Sequence, residues 1–194
     1  MENKENFLWV GISGSWRYNH PEIEKDVENK VREIILEGNG IITGGALGVD
    51  YFATQTVLDN LDEEAIKNQL RLYLPTNLKT YSEYLYMRAN QKVVKKERVH
   101  DLVSQLNFIQ KISLDCILDD WGSKEVNKDS YYARNEQIAK DCDELYAFQV
   151  NMTPGTQNTI FNALKYGKPV HILRYNLDMS SGKLSKEKQT DIEN

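Results

Sequence analysis

Residues that build cross-links and metal sites are scarce in this 194-residue chain. Its two cysteines, Cys116 and Cys142, are too few for a disulfide framework or a cysteine-based zinc site, so a reduced, cytoplasmic setting is expected. The three histidines, His20, His100 and His171, lie far apart in the chain and have no metal-ligand spacing. We therefore predict neither a bound metal ion nor a cofactor.

Long hydrophobic runs are also missing, because the longest apolar stretches are only a handful of residues. A helix that crosses a bilayer needs about 20 such residues, so no membrane partner is expected. The polar N-terminal residues Met1–Asn6 do not resemble a signal peptide. An excess of positive charge is absent too, and the net charge of −5 argues mildly against broad nucleic-acid binding, which usually relies on a basic face.

The hydrophobic residues that are present alternate between short continuous runs and helical spacing. This alternation predicts an α/β protein, a Rossmann-like three-layer sandwich with a mainly parallel sheet in the order 3-2-1-4-5. The five predicted strands lie within Phe7–Ser13, Gly40–Thr43, Leu70–Leu74, Glu144–Val150 and Lys168–Leu173.

A single nucleotide-binding domain is expected over residues 1–175, with a helical insertion near 79–129. The insertion could form a lid, a surface for a homo-oligomer, or a packed extra helix. Its tyrosines Tyr81, Tyr84 and Tyr86 could stack a base, although packing is the default role for tyrosines on a helix. Residues 176–194 are polar without apolar periodicity, and we expect a mobile C-terminal tail.

In the segment Ile41–Asp50, a glycine-rich turn begins directly after the second predicted strand. Gly44, Gly45 and Gly48 permit positive φ angles and a close approach of another group to the backbone. A helix begins next, and its free N–H groups favour an anion. The stretch therefore predicts a phosphate site, with close packing of a strand-helix turn as the alternative.

Loops that follow strands one, two and four should meet at one crevice, where the strand order reverses. They contain small hydroxyl, amide and glycine residues, and the helix before the fourth strand can contribute Arg134 and Asn135. Such donors suit a phosphorylated ligand. The predicted ligand-binding residues are Ser13, Gly14, Ser15, Arg17, Gly44, Gly45, Gly48, Asp50, Arg134, Asn135, Gly155 and Thr156.

Several of these residues have simpler explanations. Arg17 could be a surface arginine, and Arg134 could form a structural ion pair with Asp129 or Glu136. Asp50 lies in the first turn of a helix, where an acidic side chain is favourable in any protein. Asp50 and Glu136 are the only candidates for an acid or base in these motifs, and both are weak ones.

Four segments together resemble the SLOG superfamily of Rossmann-like proteins. They are Gly11–Ser15, Ile42–Asp50, Arg134–Ala139 and Gly155–Val170. The superfamily includes the DNA-processing protein A family, the lysine-decarboxylase-like phosphoribohydrolases and nucleotide-sensing domains. The second and third segments are most similar to the DNA-processing branch. The resemblance covers about Phe7–Thr56 and Tyr131–Leu173, and it implies a Rossmann-like fold with a nucleotide-related ligand.

The resemblance leaves three functions open. The phosphoribohydrolases carry glutamates shortly after a Pro-Gly-Gly-Xaa-Gly-Thr motif, whereas this chain has Asn158 and Thr159 there. The first hypothesis is therefore a sensor or binding module for a nucleotide or a nucleotide-derived ligand. The second is a phosphoribohydrolase or transferase acting on an N-glycosidic bond. The third is a protein similar to DNA-processing protein A that holds single-stranded DNA, which the acidic net charge does not favour.

Overall fold

A computed structural model describes residues 7–119 and 123–193; the polar residues 1–6 are among those outside it. The strands are β1 (Trp9–Gly14), β2 (Gly40–Thr43), β3 (Leu70–Tyr73), β4 (Ile117–Leu118), β5 (Glu144–Val150), β6 (Val170–Leu177), β7 (Leu184–Lys186) and β8 (Thr190–Ile192). The α-helices are α1 (Pro21–Leu36), α2 (Val49–Asn60), α3 (Glu63–Gln69), α4 (Leu78–Asn90), α5 (Lys96–Ile112), α6 (Lys128–Asp141) and α7 (Pro154–Lys165).

One mixed sheet contains all of these strands, in the order β4-β3-β2-β1-β5-β6-β7, and β8 also pairs with β6. The five predicted strands are β1, β2, β3, β5 and β6, and they follow one another in the predicted order. Their pairings are all parallel. The predicted α/β fold is thus confirmed. The complete strand order differs from the predicted one because β4 extends one edge of the sheet and β7 extends the other.

Alternating side chains along the strands bury two separate hydrophobic layers. Val10, Ile12 and Ile41 belong to a core cluster shared with α1 and α2, whereas Ile42 and Ala147 belong to a cluster shared with α6 and α7. Because successive strand residues face opposite sides, both faces of the sheet need a cover of helices. The arrangement is the predicted three-layer sandwich.

The section between β3 and α6 is more regular than the sequence suggested. It contains α4, α5, a single 3₁₀ turn at Leu114–Cys116 and the short strand β4, which extends the sheet beside β3. Tyr81 and Leu85 of α4 are buried in the core, as the predicted helix face requires. The insertion is therefore packed onto the domain, and one end of it continues the sheet.

The polar C-terminal tail contains two short strands that the sequence did not predict. β6 continues to Leu177, and β7 and β8 pair antiparallel with it. Antiparallel edge pairing uses backbone hydrogen bonds, so it needs no apolar periodicity to hold the strands. Side chains add to the pairing. Nδ1 of His171 lies 2.7 Å from Oδ1 of Asp191, and Nη1 of Arg174 donates a hydrogen bond to Oγ1 of Thr190 at 2.9 Å.

Candidate functional site

A cleft opens where β1, β2 and β5 end, at the point where the strand order reverses. It encloses about 380 Å³, counting the part that is open to solvent. The loop after β1, the start of α2, the middle of α6 and the start of α7 all contribute to it. Its lining residues are Ile12, Ser13, Gly14, Trp16, Ala46, Asp50, Arg134, Asn135, Ile138, Gly155 and Thr159.

Arg134 extends from α6 into the wall of the cleft and is almost completely buried. Its Nη1 donates to the carbonyl oxygen of Gly44 and lies 3.5 Å from Oδ2 of Asp50 and from the carbonyl oxygen of Tyr73. The Nε–H of the same guanidinium is buried without a hydrogen-bond acceptor among the described residues. A buried donor without a partner is costly, so this N–H has unused capacity for an acceptor.

Asp50 forms the other half of this buried ion pair, from the first turn of α2. Burial raises the pKa of its carboxyl group above the ordinary aspartate value, while the Arg134 guanidinium and the backbone N–H of Ala46 act in the opposite direction. The predicted alternative partners of Arg134, Asp129 and Glu136, are not those used in the structure. The pair instead links α6 to the glycine-rich loop.

The glycines of that loop are enclosed by the protein itself. A Cβ atom on Gly44 would overlap with Nη1 of Arg134, and one on Gly45 would lie 2.6 Å from Cδ2 of Leu74. Gly48 has a φ of +74°, and its missing side chain faces the carbonyl oxygen of Ser15. These three positions therefore require glycine for close packing within the chain.

Two further contacts connect the loop after β1 to its surroundings. A Cβ on Gly14 would lie 2.7 Å from Cβ of Val49, and the backbone N–H of Val49 donates to the carbonyl oxygen of Ser15 at 3.3 Å. The first N–H of α2 is consequently used inside the protein. Of the glycines predicted to hold phosphate, Gly14, Gly44, Gly45 and Gly48 all have an internal packing role.

The start of α7 differs, because it is open. A Cβ on Gly155 would meet no described atom within 4 Å, and the N-cap residue Thr153 makes no side-chain hydrogen bond to the first backbone N–H groups. Asn135 donates to the carbonyl oxygen of Gly155 at 3.3 Å and fixes this turn from α6. A helix start of this kind favours an anion, so the open donors of the cleft lie here.

Hydroxyl groups complete the floor between β1 and α7. Oγ of Ser13 donates to Oγ1 of Thr159 at 3.2 Å, and Thr159 in turn donates to the carbonyl oxygen of Gly155 at 3.3 Å. Thr159 was not among the predicted ligand residues. In the sequence, Thr159 stands out only because it occupies a position where the phosphoribohydrolases carry a glutamate.

The remaining predicted residues lie at the edges of the cleft or outside its lining. Ser15 is buried, and its Oγ accepts from the backbone N–H of Arg17 at 3.2 Å. The Arg17 side chain is exposed, 4.9 Å above the ring of Trp16. Thr156 is also buried, with its Oγ1 3.1 Å from that of Thr153. Ser15 and Thr156 thus shape turns, whereas the exposed Arg17 is not among the residues that line the cleft.

Glu136 does not line the cleft. Its Oε1 accepts a hydrogen bond from the Tyr166 hydroxyl and lies 3.7 Å from Nζ of Lys140 and 3.6 Å from Nζ of Lys165. The Tyr166 hydrogen bond, followed by the two lysines, lowers the pKa of its carboxyl group. Glu136 is therefore a partly exposed group of the α6–α7 surface, and Asp50 is the one carboxylate among the described residues that line the cleft.

The described residues form neither a metal site nor a helical membrane span. Within residues 7–119 and 123–193, no three His, Cys, Asp or Glu side chains are grouped so that they could hold a metal ion. None of the helices in those ranges is both long and apolar enough to cross a bilayer.

Comparison with known proteins places this geometry in a structural class. No protein-family model and no curated protein matches the chain. Solved structures do match, and their likeness confirms the predicted Rossmann-like α/β fold. Two of them are DNA processing proteins, and the resemblance to them is one of fold alone.

DNA processing protein A from Helicobacter pylori, described for its single-stranded DNA binding mode, is 24% identical with a TM-score of 0.60; the match covers 84% of this chain and 63% of that one. The Streptococcus pneumoniae protein is also 24% identical, with a TM-score of 0.59 and coverages of 84% and 49%. TM1055 is 15% identical, with a TM-score of 0.50 and coverages of 84% and 72%. The chain thus spans about half to just under two thirds of the length of the two DNA processing proteins.

Proposed function

We propose that this chain binds a phosphorylated nucleotide unit in the cleft, with the phosphate group at the start of α7. The observation that carries the proposal is the unpartnered Nε–H of Arg134, a buried donor on a residue that lines the same cleft as the open turn at Gly155. A phosphate oxygen is a suitable acceptor for a guanidinium N–H and for the backbone N–H groups of a helix start.

Charge balance in the cleft is compatible with an anionic ligand. Asp50 is the lining carboxylate, and it would repel a phosphate if its charge were unopposed. Arg134 lies against it, so the pair carries little net charge, and the positive end of the α7 dipole remains. Ser13 and Asn135 add neutral donors that can turn toward a phosphate oxygen.

Binding is better supported than cleavage of an N-glycosidic bond. Asp50 is buried in contact with Arg134, so it lacks the freedom of a general base that must approach a water molecule. Glu136 is directed to Tyr166, Lys140 and Lys165. The proposed role is therefore that of a binding or sensing module.

Thermal unfolding in the presence of small ligands tests this function. A ligand that binds only the folded state adds about 2.7 kcal/mol to the free energy of unfolding when its concentration is 100 times its Kd. Such a ligand must therefore raise Tm. We expect adenosine 5′-monophosphate and ribose 5-phosphate both to raise Tm and to compete with each other. A panel of nucleoside monophosphates without any effect at millimolar concentration would contradict the proposal.

Single-stranded DNA is the second candidate, as a polymer of the same nucleotide unit. The fold likeness to the H. pylori DNA-binding protein favours it, and so does the local charge. Residues 88–98 contain five basic residues and one acidic residue in a chain whose net charge is −5. Arg98 of this segment donates to Asn19 in the loop after β1 at 2.9 Å, which holds the segment near the cleft.

Salt dependence of oligonucleotide binding separates this candidate from a free nucleotide. If the basic segment follows the backbone, affinity for a deoxythymidylate oligonucleotide falls steeply between 50 and 200 mM salt, roughly tenfold or more for several phosphate contacts. Reversing the exposed Lys95 and Lys96 to Glu should flatten that slope. Lys111→Glu, an equally exposed change at the far end of α5, is the control. If oligonucleotide binding did not depend on salt, or if both changes altered the salt dependence equally, single-stranded DNA would be excluded as the ligand of this segment.

A further inference from the structure

A second cavity adjoins the cleft, between α4, the start of α6 and the loops after β1 and β2. It encloses about 420 Å³, counting the part open to solvent. Trp16 and Ala46 line both cavities, so the two are direct neighbours. The cavity is lined mainly by aromatic and aliphatic side chains, and no acidic side chain is among its described lining residues. We call it the aromatic pocket.

The rings of this pocket are accessible and held in place. Trp16 is 39% exposed, and Tyr84 and Tyr131 are half-buried. Tyr131 packs edge to face against the fully buried Tyr81, with ring centroids 6.4 Å apart. The guanidinium of Arg88 lies 6.0 Å from the Tyr84 ring. Arg17 and Arg134 also lie against rings of the pocket, 4.9 Å from the Trp16 ring and 5.6 Å from the Tyr131 ring. Aromatic rings and arginine side chains thus surround a pocket that opens to solvent.

We infer that the aromatic pocket receives the base of the nucleotide unit whose phosphate group lies at the start of α7. This inference rests on the proposed function and names the second half of its ligand. A nucleobase is planar, partly apolar and able to stack on aromatic rings or an arginine plane. The shared wall at Trp16 and Ala46 lets one compact molecule reach both cavities.

The hydroxyl groups of Tyr131 and Tyr81 remain donors over the physiological pH range. Burial raises the pKa of Tyr131 to about 12 and that of Tyr81 well above its ordinary value. The pocket therefore brings no negative charge close to the ligand. It offers ring surface and neutral polar groups, which is what base stacking without strong sequence selection requires.

Titration calorimetry with four probes tests the inference: adenosine 5′-monophosphate, ribose 5-phosphate, adenosine and a short deoxyadenylate oligonucleotide. We expect the monophosphate to bind about tenfold more tightly than ribose 5-phosphate, since its base can stack on the aromatic rings and ribose 5-phosphate has no base. Tyr84→Leu should remove most of that advantage and leave ribose 5-phosphate binding unchanged. The unchanged probe also shows that the variant is folded.

Tyr86→Leu is the matched control, because Tyr86 is on the same helix and does not line the pocket. It should leave all four affinities unchanged. Equal affinities for the monophosphate and ribose 5-phosphate, or an equal loss of both affinities in Tyr84→Leu, would contradict the assignment of the base to this pocket. Neither result would contradict the phosphate site.

The remaining outcomes separate the two proposals. Adenosine binding as tightly as its monophosphate would support the pocket and reject the phosphate site. Failure of all probes would reject both. If the oligonucleotide bound much more tightly than the monophosphate, with a salt-dependent affinity that Tyr84→Leu again weakened, the result would support the pocket. It would also identify single-stranded DNA as the source of the nucleotide unit.

Discussion

Two strand-to-helix turns at one edge of the sheet use glycine in opposite ways. In the turn between β2 and α2, Gly44 lies against Arg134 and Gly48 lies against the carbonyl oxygen of Ser15. In the first turn of α7, directly after β5, Gly155 has open space where a side chain would be. The glycine-rich turn is thus closed by the protein, and the turn with one glycine is the open one.

The difference shows what a glycine-rich motif indicates. Glycine marks a place where another group approaches the backbone closely, and that group can be part of the same chain. Here Arg134 and the loop after β1 are the approaching groups, so the β2–α2 turn organises the site. The surface that we propose to meet a ligand lies at Gly155, where the turn is open. Three substitutions test this contrast, in order of decreasing effect on stability.

Replacing Arg134 with leucine should have the largest effect. It leaves Asp50 buried without its partner, and breaking a buried ion pair in this way costs about 3–5 kcal/mol. The loss should depend on pH. Burial already raises the pKa of Asp50, and removing the guanidinium raises it further, so the ionised carboxylate becomes more costly as pH increases. Urea unfolding should therefore give a difference from the parent protein that shrinks as pH falls.

A double-mutant cycle with Asp50→Asn controls for the lost packing of the arginine. Removing both charges should cost less than the two single changes added together, because no unpaired charge is then buried. Additive effects, or a loss that does not change with pH, would mean that the two side chains do not stabilise the closed turn as a pair.

Gly48→Ala should have the second largest effect. Its Cβ would overlap with the carbonyl oxygen of Ser15 and lie 2.9 Å from Cα of Trp16, and both are backbone atoms that cannot rotate away. The φ of +74° adds strain for any residue with a side chain. We expect a loss of about 2–4 kcal/mol in the free energy of unfolding. Gly155→Ala, the matched control, should stay within about 0.5 kcal/mol. Similar losses for both would remove the contrast between the turns.

Much of this architecture could be predicted from residue patterns. Buried strands and their parallel order follow from short apolar runs separated by helical spacing, and the position of the cleft follows from that order. Arg134 was identified as a site residue, but its partner Asp50 is 84 positions away, and no local pattern connects the two. The pairing was visible only once the helix and the turn were placed together.

Other features could not be predicted because they depend on backbone pairing or on the packing of distant segments. β7 and β8 are polar and short, so periodicity gave no sign of their edge pairing. The tyrosines of α4 have helical spacing, which is equally typical of a core face. Indeed Tyr81 is core, whereas Tyr84 lines an open pocket. Burial within one helix face is decided by what packs against it.

Gly155→Asp should change stability least and binding most. Its side chain enters open space at the start of α7, where a negative charge is favourable to the helix dipole by about 0.3–1 kcal/mol. The same carboxylate occupies the place proposed for phosphate, so affinity for ribose 5-phosphate should fall at least about tenfold, equivalent to 1.4 kcal/mol. Gly155→Asn, of similar size without charge, should weaken binding less. If Gly155→Asp left ribose 5-phosphate affinity unchanged, the open turn would not be the phosphate site, and the closed turn would have to be reconsidered.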